Sequence, residues 1–348
     1  MTMRKVFWLC LGLGVPFAAC NHTDGNNNHD NGTQKVDQVD LASKDILDLL
    51  SDSIDMDENR PDLYLRRAKV YMEREQVGQA MMDINRVTQL DPKNIEALLM
   101  LSDIYYLMGD EANITATLNQ ALSIDPYDTR PMVKLAELNL LQQNYNLAFA
   151  YIDNALKVSD YNPRAYFVRG MTYLARQDTA SAVKNFMIAR EQDASFFDPY
   201  HEISKIYVAQ DSPYTERFLR STVSLFPEEA VARYDLALYL QDHNYPDEAL
   251  AHYDTLLMKQ PGNSRLLFNK GYVYFVYLGD NDQALEYFNQ ALLSDPNYID
   301  ALYNKGHVLE QKGDYVQARA IYKQVLEKRP NYSLAIEGMN RVSNQFEE

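Results

Sequence analysis

The sequence predicts an all-α chain built as a stack of about eight helix-turn-helix repeats with a capping helix at each end, and three observations carry that prediction. From residue 61 onward the prolines Pro92, Pro126, Pro227, Pro261, Pro296 and Pro330 recur at spacings of 34, 101, 34, 35 and 34, the gap of 101 being three periods less one residue. With each proline at position 32 of a 34-residue unit, eight units begin at residues 61, 95, 129, 163, 197, 230, 264 and 299; one residue is lost in the fifth and one gained in the seventh. Position 8, which played no part in the alignment, is then small throughout: Ala68, Ser102, Ala136, Gly170, Ser204, Ala237, Gly271 and Gly306. Position 20 holds Ala80, Ile114, Ala148, Ala182, Thr215, Ala249, Ala284 and Ala318, and position 24 is apolar or aromatic from Ile84 and Leu118 to Phe288 and Tyr322. Small residues at 8 and 20 let two antiparallel helices approach closely, and the large residue at 24 fills the space beside them. The proline then ends the second helix, because its ring and missing N–H cannot continue one.

The segments before the array have their own signatures. Residues 1–19 begin with Arg4 and Lys5, continue through an apolar stretch from Val6 to Phe17 and end in the small pair Ala18-Ala19, the pattern of an exported leader too short to span a bilayer. Ala18-Ala19 before Cys20 resembles the lipobox of bacterial lipoproteins, with Phe17 in place of the usual Leu, and the resemblance implies a lipid-modified Cys20 as the first mature residue. Cysteine usage agrees: Cys10 leaves with the leader, and an exported chain would otherwise keep one unpaired thiol. Asn21 follows the cysteine where an Asp would hold a lipoprotein at the inner membrane, which implies the outer membrane. Residues 20–39 are polar and Asn-rich and read as a flexible tether with a reach of about 25 Å. Residues 40–60 contain the apolar spacing of a lone helix and are expected to cap the start of the array at residues 61–332; residues 333–348 are expected to cap its end.

The repeat resembles the tetratricopeptide repeat, whose first helix carries a large residue, Leu-Gly and Tyr, and whose second carries Ala, an aromatic and Pro. The eighth unit shows this most fully, with Leu302, Gly306, Leu309, Gly313, Asp314, Tyr315, Ala318, Tyr322 and Pro330, although Lys305 stands where Leu is usual. Units three, four and five are the least regular. The resemblance implies a right-handed superhelical solenoid that binds a protein or peptide in a concave groove.

Composition narrows the function. The 348 residues carry 33 basic and 49 acidic side chains for a net charge of −16, which excludes a simple nucleic-acid binder, since phosphate contact needs a basic face. No run of 18 apolar residues follows residue 20, so the expected membrane attachment is the lipid on Cys20 alone. No Gly-x-Ser-x-Gly, His-Glu-x-x-His or phosphate loop occurs, and His201, His243, His252 and His307 fall in three different units. The acidic stretch Asp52, Asp55, Asp57 and Glu58 lacks a calcium loop: Arg60 occupies the glycine position and Arg66 the place of the bidentate Glu. No catalytic residue, cofactor or metal is therefore expected. An alternative is a glycan-binding outer-membrane lipoprotein, a family that pairs such repeats with a large extra subdomain; the one-residue departures from the period leave no room for one.

In this repeat family, positions 2, 5, 9, 12 and 13 of the first helix line the groove. Those positions place Tyr234, Phe268, Tyr272, Tyr303 and His307 in units six to eight and Phe167 in unit four. Arg130, Arg164 and Arg265 at position 2 add cationic points suited to a peptide carboxylate. Contact is expected to centre on Tyr272 and Tyr303, because tyrosine offers a broad face and a hydroxyl.

Overall fold

A computed structural model describes residues 45–345, and among the described residues the chain forms helices joined by turns, with no strand. The first helix, Ile46–Met56, opens at Asp45, whose carboxylate accepts from the Leu47 amide. Eight helix pairs follow. Naming the first helix of each pair A and the second B, they are Pro61–Glu73 and Val77–Leu90, Ile95–Met108 and Glu111–Ile124, Thr129–Leu141 and Tyr145–Val158, and Pro163–Ala175 and Thr179–Gln192. The series continues with Phe197–Ala209 and Thr215–Leu225, Ala230–Asp242 and Pro246–Lys259, Ser264–Val273 and Asn281–Ser294, Ile299–Gln311 and Tyr315–Lys328, and closes with the lone helix Ser333–Asn344. Side-chain caps set many of the starts. Asn94, Asp128, Asn162 and Asn263 accept from first-turn amides of helices A, while Asp110, Asp178, Asp280 and Asp314 do so for helices B. All six periodic prolines lie in the turn after a helix B.

The hairpin turn has a rule of its own. Position 15 takes a left-handed backbone in every unit, at Glu75, Gly109, Gln143, Gln177, Asp211, Asn244, Gly279 and Gly313. The next amide then donates back to the carbonyl of position 11, as in Asp110 to Tyr105 and Asp314 to Leu309, both at 2.9 Å. In unit seven the equivalent bond runs from Asp280 to Tyr274, one residue further back. The inserted residue is absorbed as a π-helical turn, Tyr274–Leu278, that continues helix A. Two residues are added to the turn of unit five and three removed from its helix B, which accounts for the net loss there.

The packing inside each pair follows the small-large pattern. Position 24 is fully buried throughout, as Ile84, Leu118, Ile152, Phe186, Leu219, Tyr253, Phe288 and Tyr322. Three of its four aromatic occupants lie against a glycine at position 8: a Cβ added to Gly271 would stand 2.7 Å from the Phe288 ring, and one added to Gly306 2.9 Å from Tyr322. Leu50 and Ile54 of the first helix join the core of unit one with Leu63, Ala68 and Ile84. At the other end Ala335 and Val342 of Ser333–Asn344 cover the core around Tyr322. Two compact units divide after Pro199, within helix A of unit five. Among the described residues no helix is long and apolar enough to cross a membrane.

Candidate functional site

On a helix of 3.6 residues per turn, positions 2, 5, 9, 12 and 13 fall along one face. Within the first compact unit that face, in units two to four, borders a cavity of about 510 Å3. Leu99 and Tyr106 from helix A of unit two line it together with Val133, Leu138 and Leu141 from unit three; Ile114 and Leu118 of the intervening helix B close it from beneath. Leu99, Ile114, Leu118, Val133 and Leu138 are themselves buried, so the floor is apolar and held rigid by the core.

The rim is charged and paired from helix to helix. Glu96 takes Lys69 of unit one and Arg130 of unit three, each at 3.0 Å, and Arg130 also holds Asp128 at 2.6 Å. Lys134 pairs with Asp103. Arg164 donates through Nε to Glu137 at 2.6 Å and approaches Asp198 at 3.6 Å. These pairs are partly open to water, so each adds little to stability; what they fix is the pattern of charge around an apolar hole. The hydrogen bond from Lys69, helped by Arg130, lowers the pKa of Glu96, whereas burial pushes the Asp103 carboxyl above the usual carboxylate range despite Lys134. Neither histidine nor cysteine lines the cavity, and Ser102 donates its hydroxyl to the Leu99 carbonyl. Among the described residues no cluster of three His, Cys, Asp or Glu is placed to hold a metal ion. A cavity of this size with an apolar floor and a few polar groups suits the capture of a side chain or small group.

The expected site residues divide sharply by depth. Arg130 and Arg164 stand on the cavity rim, although their own carboxylates already engage them. Phe167 is 3% exposed and packs on Phe186 and Phe196, with ring centres at 5.6 and 5.2 Å, and is a core residue. Tyr303 is 8% exposed, and its ring lies among Tyr322, Tyr332 and His307. Both are expected at the groove and are found buried, packed on the helix B aromatic and the closing turn of their own unit. Tyr234 is half-buried and its hydroxyl accepts from the Asn269 amide at 3.2 Å. Phe268 is half-buried among Phe288, Tyr298 and Tyr272. Tyr272 keeps part of its surface and meets Tyr277 edge-on at 6.3 Å. His307 lies edge-on to Phe275, and burial lowers its pKa, favouring the neutral ring. Arg265 is exposed and makes no side-chain hydrogen bond or ion pair among the described residues. Cys20 lies outside the described residues. Sequence reasoning did not single out Leu99, Tyr106, Val133, Lys134, Asp103 or Glu137, although the register that selected Tyr272 also selects Leu99, Asp103, Tyr106, Val133 and Glu137.

The architecture is that of a helical-hairpin repeat solenoid. Tetratricopeptide-repeat family models match residues 61–94 and 95–128, and again residues 234–276 and 273–333, so these stretches are tetratricopeptide repeats. The irregular units three to five lie outside the matches. No curated protein matches the chain. Among solved structures it is similar to the C-terminal part of a TPR repeat-containing protein from Cytophaga hutchinsonii, with 14% identity and a TM-score of 0.59 over 69% of this chain and 99% of that one. It is also similar to a chain of the APC/C hetero-tetramer Cut9-Hcn1, with 17% identity and a TM-score of 0.52 over 85% of this chain. The chain spans 58% of that relative's length. A further match is YrrB, described as a TPR protein with an unusual peptide-binding site, with 23% identity and a TM-score of 0.45 over 54% of this chain and 97% of that one. At these identities the likeness is one of fold.

Proposed function

We propose that the protein is a non-catalytic interaction scaffold, anchored to the bacterial outer membrane through a lipid on Cys20, that holds a segment of a partner protein in the cavity of units two to four. The carrying observation is the cavity itself: the repeat face that a tetratricopeptide solenoid presents to partners opens here into about 510 Å3 over an apolar floor with a charge-paired rim. Helices position every lining residue except the helix cap Asn162, so a partner meets a preformed surface. A scaffold of this kind acts through differential binding, and a lipid on Cys20 followed by a polar tether would keep that binding surface near the membrane.

A photo-crosslinking amino acid placed at Tyr106 or Leu141 in living cells should capture a discrete partner, and one placed at the outward-facing Met258 should not. Identical products at all three positions, or products only from Tyr272, would remove the cavity from the mechanism. The anchor is tested separately. Wild type should partition into detergent, and Cys20→Ala should remain soluble or accumulate as precursor; equal partitioning would show that Cys20 carries no lipid.

A further inference from the structure

The chemistry of the cavity narrows what can enter it, an inference that rests on the cavity being the partner site. Its rim and the residues paired to it present five carboxylates, Glu96, Asp103, Asp128, Glu137 and Asp198, against four cations, Lys69, Arg130, Lys134 and Arg164. Every one of the four cations already meets a carboxylate, so an incoming anion would have to share it with Asp128, Glu96, Asp103 or Glu137 and meet their charge.

The carboxylates are less fully used. Asp103 accepts from Lys134 through Oδ1 and Glu137 from Arg164 through Oε1, while Oδ2 of the one and Oε2 of the other carry no hydrogen bond among the described residues. Both residues occupy position 9, on adjacent helices A, and both line the cavity above Leu99, Val133 and Leu138. A net charge of −16 adds long-range attraction for a basic partner. We propose that the cavity accepts an extended peptide segment that seats a bulky apolar side chain on the Leu99, Val133 and Leu138 floor and directs a neighbouring lysine or arginine to the remaining oxygens of Asp103 and Glu137. Burial holds Asp103 partly against its charged form, and an arriving cation relieves that cost instead of adding to it. The long aliphatic stem of either basic residue also matches an apolar wall. Acidic segments are disfavoured by the same arrangement, since they would face five carboxylates against four cations that are already paired.

The test is a positional-scanning library of nonapeptides, retained on the purified mature chain and read by sequencing of the bound pool. Peptides combining Leu, Ile, Met or Phe with Lys or Arg should be enriched at least tenfold over the same peptides carrying Asp or Glu, and the enrichment should weaken as salt rises. In the doubly substituted Asp103→Asn, Glu137→Gln protein, which keeps the shape of both side chains, the basic preference should vanish while apolar retention persists. Circular dichroism would verify that the variant is folded. A wild-type pool with no charge bias or an acidic one, a preference unchanged by the double substitution, or no retained peptides at all would each overturn the proposal. The scaffold reading fails differently, through loss of the crosslink at Tyr106 in cells, so a neutral or acidic pool alongside an intact crosslink would leave the site standing with another ligand chemistry.

Discussion

Gly271→Leu puts the packing logic of the repeat to a direct test. A Cβ at this position stands 2.7 and 2.8 Å from two atoms of the Phe288 ring and 3.3 Å from the Ala284 carbonyl oxygen. Phe288 is fully buried and cannot swing into solvent, so the helices must separate or the ring must leave its rotamer. Overpacking of this kind costs up to about 3 kcal/mol. Replacing a mid-helix glycine returns about 1 kcal/mol of helix propensity. The expected net loss is therefore about 2 kcal/mol. Gly78, exposed on helix B of unit one, meets nothing within 4 Å of its added Cβ, so the same change there should stabilise by about 0.5 kcal/mol. Urea unfolding followed by far-UV circular dichroism would measure both. A second change, Phe288→Leu, should return at least half of the loss in Gly271→Leu, because removing the ring vacates the space the new side chain needs. Equal shifts at Gly271 and Gly78, or strict additivity of Gly271→Leu with Phe288→Leu, would refute the claim that position 8 is small because of position 24.

Two further outcomes follow from the same structure. Gln177 holds the left-handed turn at φ 65° and Gly313 the same turn at φ 79°; Gln177→Gly should stabilise and Gly313→Ala destabilise, each by about 0.5 to 1 kcal/mol in chemical unfolding. Glu310 accepts from Arg341 at 2.6 and 3.0 Å and from the Tyr322 hydroxyl at 2.5 Å. Burial raises its pKa, but these bonds outweigh burial and hold it below the ordinary glutamate value. Its folded pKa being depressed, the stability it contributes is present above the unfolded pKa and lost as pH falls through the folded one. Glu310→Gln should accordingly cost about 1.5 kcal/mol at neutral pH, with the unfolding midpoints of variant and wild type converging in acid.

The fold was legible because the repeat imposes one packing constraint eight times. Ala or Ser opposes aliphatic Ile84, Leu118, Ile152 and Leu219, while Gly opposes Phe186, Phe288 and Tyr322, a size complementarity visible in the bare sequence; Ala237 against Tyr253 is its one exception. The extra residue of unit seven was visible as a count, but a count does not say whether it enters a loop or a helix. The π-helical turn resulted because the hairpin bond to Tyr274 and the left-handed Gly279 were both kept. The left-handed turn itself was hidden, since five of its eight occupants are not glycine. Depth was hidden too. Periodicity assigns Tyr303 and Phe167 to the partner-facing helix edge, yet it cannot show that their rings turn inward between helices.

The location of the cavity follows from that same depth, and it was present in the sequence under a different measure. Position 5 reads Leu65, Leu99, Val133, Phe167, His201, Tyr234, Phe268 and Tyr303, and valine is the smallest of these. Where position 5 is aromatic, as at Phe167 and Tyr303, the ring packs on the helix B aromatic and the closing turn of its own unit; where it is Leu99 or Val133, the side chain borders the cavity. Aromatic rings are buried on this face at Phe167 and Tyr303 and half-buried at Tyr234 and Phe268, so weighting them as binding groups favours units six to eight, whereas the cavity lies in units two to four. Val133→Phe should reproduce the closed state in unit three. The side chain would enter the cavity, so the loss of unfolding free energy should stay below the roughly 1 to 3 kcal/mol of overpacking in a filled core, while crosslinking from Tyr106 to its partner should be lost. Retained crosslinking in a folded Val133→Phe protein would mean that the partner does not use the cavity, whatever its charge.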